Sequence, residues 1–158
     1  MGEKYKTKGQ MEDLAKKIIK AFKEDKSVFL VGKTDGGKTY FVKNFLIPFL
    51  KERNIKNKYF KNVDEFSIEK NLDLAIIDEV EILSDQEFLE KEHPEEIPFY
   101  TKEYLIKVRK WGEKLSTLNI PSIFIITRNT NREFKFIKDN VTKTEWNSTP
   151  IIVLEYKN

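Results

Sequence analysis

The stretch that decides the fold runs Ser27-Val28-Phe29-Leu30-Val31-Gly32-Lys33-Thr34-Asp35-Gly36-Gly37-Lys38-Thr39. Ser27 to Val31 is a short apolar run that stops at Gly32, the pattern of a buried strand closing on a turn. Glycines at 32, 36 and 37 free the backbone for a tight loop, and helical spacing follows from Gly37 to about Glu52. Pro48 inside that helix is expected to kink or shorten it, because proline has no N–H and crowds the turn before it. Strand, glycine loop and helix together make the first half of an α/β unit.

Outward from this stretch the alternation continues. Upstream, Met11, Leu14, Ile18 and Phe22 recur at three- and four-residue steps, which predicts a helix over Gln10 to Glu24. Downstream, Lys58 to Phe60 is a weaker strand candidate, with an extension to Val63 left open. Leu72 to Ile77 is a stronger one and ends in Asp78-Glu79. The acidic stretch from Ser84 to Pro98 reads as a short helix begun by Ser84-Asp85, then a loop. Tyr104, Val108, Trp111, Leu115 and Leu118 mark an amphipathic helix. Pro121 introduces a strand over Ser122 to Thr127, and Ile151 to Tyr156 is the last. Strands that are apolar throughout, alternating with helices, predict an α/β fold: a three-layer α/β/α sandwich with a mainly parallel five-stranded sheet. One domain over 1–158 is expected, with 1–26 as an N-terminal helical extension and 84–120 as a helical insertion ahead of the Ser122 strand.

Composition narrows the function. With 158 residues a single core can form without staples, and the absence of cysteine excludes disulfides and thiolate metal sites. His93, the one histidine, cannot build a His cluster. Basic residues exceed acidic ones by 29 to 26, a surplus too small and too dispersed to argue for nucleic acid by itself. The first residues are polar and no segment reaches membrane-spanning length, so a cytoplasmic protein with no membrane partner is expected.

Residues 32–39 match G-x-x-x-x-G-K-[ST] at every fixed position. A triphosphate is wrapped by backbone N–H groups pointing inward, which glycines permit, and the following helix adds unpaired N–H groups and a positive dipole end. Lys38 is placed to reach the β- and γ-phosphates, and the Thr39 hydroxyl to ligate Mg²⁺. The expected nucleotide-contacting set is Gly32, Lys33, Thr34, Asp35, Gly36, Gly37, Lys38, Thr39 and Tyr40. Asp35 is a departure, since a carboxylate near phosphate is unfavourable unless it faces solvent or shapes the loop. At the end of the second strong strand, Asp78 is expected to hold Mg²⁺ through a water, and Glu79 to activate the attacking water. Two adjacent carboxylates at a buried strand end need a cation to balance them.

These motifs resemble the P-loop nucleoside triphosphatases, and the acid directly after the metal aspartate resembles the group with an additional catalytic glutamate. Ile125-Ile126-Thr127-Arg128-Asn129 resembles the sensor region of AAA+ ATPases and of superfamily 3 helicases, where an apolar strand ends in Thr-x-Asn. The resemblance covers Val28 to about Phe134. It implies ATP and Mg²⁺ as cofactors, hydrolysis, and a polar residue between the two carboxylate-bearing and phosphate-binding elements that places the hydrolytic water. Asn129 takes that role by position, with Thr127 the second choice. It also implies a ring-like homo-oligomer with an arginine reaching a neighbour, for which Arg132 is the first candidate and Arg128 the second, and work on DNA. Lys110-Trp111-Gly112-Glu113-Lys114 loosely resembles the basic DNA-contacting motif of those helicases, but the apolar face through Trp111 favours a helix whose lysines are simply solvated. A helical lid, an origin-binding domain and an oligomerisation bundle are not recognisable, which weighs against helicase activity. Two other classes stay open: a nucleotide-binding adaptor with little turnover, and a nucleotide kinase, whose arginine-bearing lid the arginine-free stretch Ser84 to Pro98 does not supply.

Overall fold

The computed structural model describes residues 8–31, 38–78, 80, 97–126, 131–141 and 151–153, with the backbone alone for Lys38 and for 97–105, 131–133 and 151–153. In chain order the elements are α1 (Lys8–Lys23), β1 (Val28–Val31), α2 (Lys38–Phe41), a π turn (Val42–Leu46), α3 (Ile47–Glu52), β2 (Asn57–Phe60), β3 (Leu74–Ile77), α4 (Ile97–Ser116), β4 (Ser122–Ile126), α5 (Asn131–Asn140) and β5 (Ile151–Val153). Among the described residues no helix is long and apolar enough to cross a membrane.

The helix after the glycine loop does not break at Pro48. It widens one turn earlier, where the Ile47 N–H bonds back to the Val42 carbonyl five residues away, and Pro48 then sits in the first turn of α3, where a missing N–H is tolerated. The helix therefore reaches Glu52 as expected, by a π turn rather than a kink. Two left-handed residues end the helices that feed the sheet. Asp25 (φ 60°) follows α1 and Asn54 (φ 58°) follows α3. In each case the next N–H reaches back five residues, Lys26 to Ala21 and Ile55 to Leu50, which satisfies helix-end carbonyls and turns the chain into a strand.

The fold is mixed α/β with a parallel sheet. Strands run in the order β2-β3-β4-β1, and the short β5 pairs with the outer side of β1. In register, Val31 lies opposite Ile126, Ile77 opposite Phe124 and Tyr59 opposite Ile76. β1, β3 and β4 are buried on both faces, which is why they read as unbroken apolar runs. Val28, Leu30, Leu74, Ile76, Ile123 and Ile125 point to one side, into a cluster with α1, the π turn and α3. Phe29, Val31, Ala75, Ile77, Phe124 and Ile126 point to the other, against Trp111 and Leu115 of α4 and Phe134 and Ile137 of α5. Phe29 anchors the second side, with its ring 4.7 Å from Phe134 and 5.9 Å from Phe124.

Several sequence expectations shift against this frame. The possible extension of β2 to Val63 is not strand: the chain turns after Phe60, and Val63 and Phe66 tuck into the second cluster instead. The buried side of α1 is Ala15, Ile18, Ile19 and Ala21, while Met11, Leu14 and Phe22 lie at its margin. α1 thus shares the core cluster with β1. α5 was not expected as a helix, although Phe134, Ile137 and Val141 recur at helical steps and are buried. The helix and loop expected from Ser84 onward fall outside the described residues up to 96; α4 then begins at Ile97, with Pro98 in its first turn.

Candidate functional site

Because the strands are parallel, the carboxyl ends of β1, β3 and β4 lie along one edge of the sheet. The connection leaving β1 packs into the cluster on one face and the connection leaving β4 packs into the cluster on the other. Adjacent strands whose connections part to opposite faces leave a crevice between their ends, the usual ligand position in open α/β sheets. β4 separates β1 from β3, and at about 4.8 Å per strand spacing the ends of β1 and β3 lie about 10 Å apart. The strands that lead into three of the sequence motifs end at this edge. Residues 32–37 join Val31 to Lys38, Asp78 follows Ile77, and 127–130 join Ile126 to α5.

On the first motif, Gly32, Lys33, Thr34, Asp35, Gly36 and Gly37 lie outside the described residues. Lys38 is the first residue of α2, and Thr39 and Tyr40 are exposed in that first turn. Tyr40 keeps 41% of its surface, unusual for a large aromatic ring, and its carbonyl accepts a hydrogen bond from Asn44. On the third motif, Thr127, Arg128 and Asn129 also lie outside the described residues. Arg132 falls in the first turn of α5.

The second motif is the best defined. Asp78 is only 7% exposed. Its N–H donates to the Phe60 carbonyl at 2.9 Å, and two residues on the Val80 N–H donates to the Ile125 carbonyl at 3.1 Å. The chain is therefore held to both neighbouring strands across this corner. Glu79 lies between these two anchors and outside the described residues. A buried carboxylate needs hydrogen-bond donors, and the Tyr59 hydroxyl donates to Asp78 Oδ2. Tyr59 is level with Ile76, whose side chain shares a face with Asp78 two residues later, so its ring runs diagonally to the carboxylate. The Lys43 ammonium of the π turn sits 4.9 Å from the centre of the Tyr59 ring.

Sequence reasoning missed Tyr59 and Lys43. No motif marks them, because Tyr59 reaches Asp78 only through the register of β2 against β3.

Among the described residues, no three His, Cys, Asp or Glu side chains gather to hold a metal unaided. Asp78 and Thr39 offer hard oxygen donors, the chemistry Mg²⁺ takes, and Mg²⁺ is commonly held by one or two protein oxygens with phosphate and water completing the shell. The donor set therefore fits that ion in the company of a phosphate ligand.

The helix through Trp111 is amphipathic as the sequence favoured, but its Lys114 is not simply solvated. Trp111 is buried and its indole N–H donates to Asp64 Oδ1 at 2.6 Å. The Lys114 ammonium caps the Val63 and Asp64 carbonyls. These residues pin the β2–β3 connection to α4. Comparison of the sequence with protein-family models gives no match, and comparison with curated proteins gives none either.

Proposed function

We propose that this chain is a P-loop nucleoside triphosphatase domain of the additional-catalytic-glutamate group, binding Mg-ATP and hydrolysing it on a three-layer α/β/α sandwich with a five-stranded sheet. The observation that carries the reading is the strand order. β4, the strand that leads into Thr127-Arg128-Asn129, lies between β1, which leads into the phosphate-loop sequence, and β3, which leads into Asp78-Glu79; that strand order is what the resemblance calls for. Helical clusters on both sheet faces support the layered architecture.

In this reading the amides of 32–37 and the Lys38 ammonium bind the phosphate chain. Thr39 and Asp78 are the residues that would hold Mg²⁺, which supplies charge neutralisation at the phosphate oxygens. Glu79 accepts a proton from the attacking water as the β–γ bond breaks, and Asn129 orients that water. Arg132 is the candidate for reaching a neighbouring copy in a homo-oligomer, and DNA-linked work is the coupled process. The test follows ATP turnover with and without single-stranded DNA, alongside particle mass with and without ATP. Turnover that rises with DNA or assembly supports the reading. Tight Mg-ATP binding with no turnover under any condition replaces hydrolysis with an adaptor role, and phosphate transfer to a nucleoside monophosphate replaces it with a kinase.

A further inference from the structure

The reading above assigns Asp78 to the metal but leaves unexplained what fixes its carboxylate. Tyr59 stands out among the buried polar contacts. It lies on the edge strand β2, half-buried, where phenylalanine would fill the same volume. Its hydroxyl nevertheless reaches a carboxylate that is almost completely withdrawn from solvent. A phenol is neutral, so it satisfies a lone pair of Asp78 without cancelling its charge, and the carboxylate keeps its attraction for a cation. The other side of the phenol belongs to the helix that carries Lys38 and Thr39: Lys43, one turn along, sits over the ring. Lys43 lies within the π turn, Val42–Leu46.

We propose that Tyr59 is a positioning residue for Asp78, linking the helix that begins at the phosphate loop to the strand end that carries the metal carboxylate. By holding Oδ2, the hydroxyl sets the carboxylate plane before Mg²⁺ arrives, and Lys43 holds the ring against β2. Outer hydrogen bonds of this kind govern metal affinity by orienting the ligand, and their loss typically weakens it about 10–100-fold. The inference rests on the nucleotide-binding reading.

The test is a Mg²⁺ titration of fluorescent N-methylanthraniloyl-ATP binding by wild type and Tyr59→Phe, which removes one oxygen and keeps the ring. The expected result is a Mg²⁺ half-saturation point raised about tenfold, with affinity for the nucleotide in EDTA within twofold of wild type. A merely structural tyrosine would lower the melting temperature and leave the Mg²⁺ dependence alone, so a folded Tyr59→Phe with the wild-type half-point overturns the proposal. As a second readout, 3-fluorotyrosine is placed at position 59 of the otherwise unaltered chain. Its fluorine resonance is expected to move when Mg²⁺ joins the bound nucleotide, and an unmoved resonance overturns the proposal even where the phenylalanine variant fails to fold. The wild-type curve separates the two claims. If wild type binds no nucleotide at any Mg²⁺ concentration, the nucleotide reading fails and this one with it. If wild type binds normally and position 59 is silent, only the role of Tyr59 fails.

Discussion

Replacing Gly112 with alanine sets two effects of similar size against each other. In the interior of a helix the change normally stabilises by about 1 kcal/mol, because glycine orders at a greater entropic cost. Here the new methyl group would stand 2.7 Å from Asn140 Oδ1 and 3.3 Å from its Cγ. Asn140 cannot swing aside freely, since its Nδ2 donates to the Phe136 carbonyl at 2.8 Å. Either Asn140 moves and forfeits about 1 kcal/mol of hydrogen bond, or it stays and α4 and α5 are overpacked by about 1–3 kcal/mol. The clash offsets the helix gain, and the net expectation is a destabilisation of about 0–2 kcal/mol, at about 2–4 °C in melting temperature for each kcal/mol in a chain of this size. Thermal and urea unfolding followed by circular dichroism measures it. In an Asn140→Ala background the methyl group has room, so the same substitution is expected to be neutral or stabilising, with a coupling of at least about 1 kcal/mol between the sites. A stabilising Gly112→Ala in the wild-type background, or an equal effect in both backgrounds, refutes the close approach of these helices.

Two further outcomes follow from the same structure. Trp111→Phe keeps the ring against the core but deletes the indole donor to Asp64; the loss of a half-buried bond to a carboxylate is expected to lower stability by about 1–2 kcal/mol. Urea midpoints check this, and an unchanged midpoint would show that the bond does not hold the β2–β3 connection. Glu79→Gln is expected to retain Mg-ATP binding and to lose turnover by about 10²–10⁴-fold, the usual worth of a general base; single-turnover hydrolysis at wild-type rate would remove Glu79 from the mechanism.

Most of the frame was legible because burial on both faces writes a strand as an unbroken apolar run, and β1, β3 and β4 are all of that kind. Side-chain periodicity located α4 because one face of it is apolar, with Trp111 and Leu115 buried and Leu118 buried just past its end. The face of α1 read from Met11, Leu14, Ile18 and Phe22 does pack on the core, but its most buried positions include Ala15 and Ala21, which carry little weight in a count of large apolar residues. α5 was missed because Lys135, Lys138 and Asp139 interrupt a pattern of few apolar positions. At the site, the phosphate-loop motif and the Asp78-Glu79 pair are consecutive in sequence and can be read there. Tyr59 meets Asp78, 19 positions on in the sequence, from a neighbouring strand, a relation created by register alone. The strand order itself, with β4 between β1 and β3, is likewise absent from any local pattern.

The most direct test of the central claim is the equilibrium binding of ATP to the folded chain, by calorimetry, with Mg²⁺ and with EDTA, beside Lys38→Ala. The account predicts Mg²⁺-dependent binding by wild type and a loss of about 10–100-fold in the variant, the worth of one charge-assisted phosphate contact. Folded wild type that takes up no Mg-ATP, or a Lys38→Ala variant that binds it as well as wild type, contradicts the account.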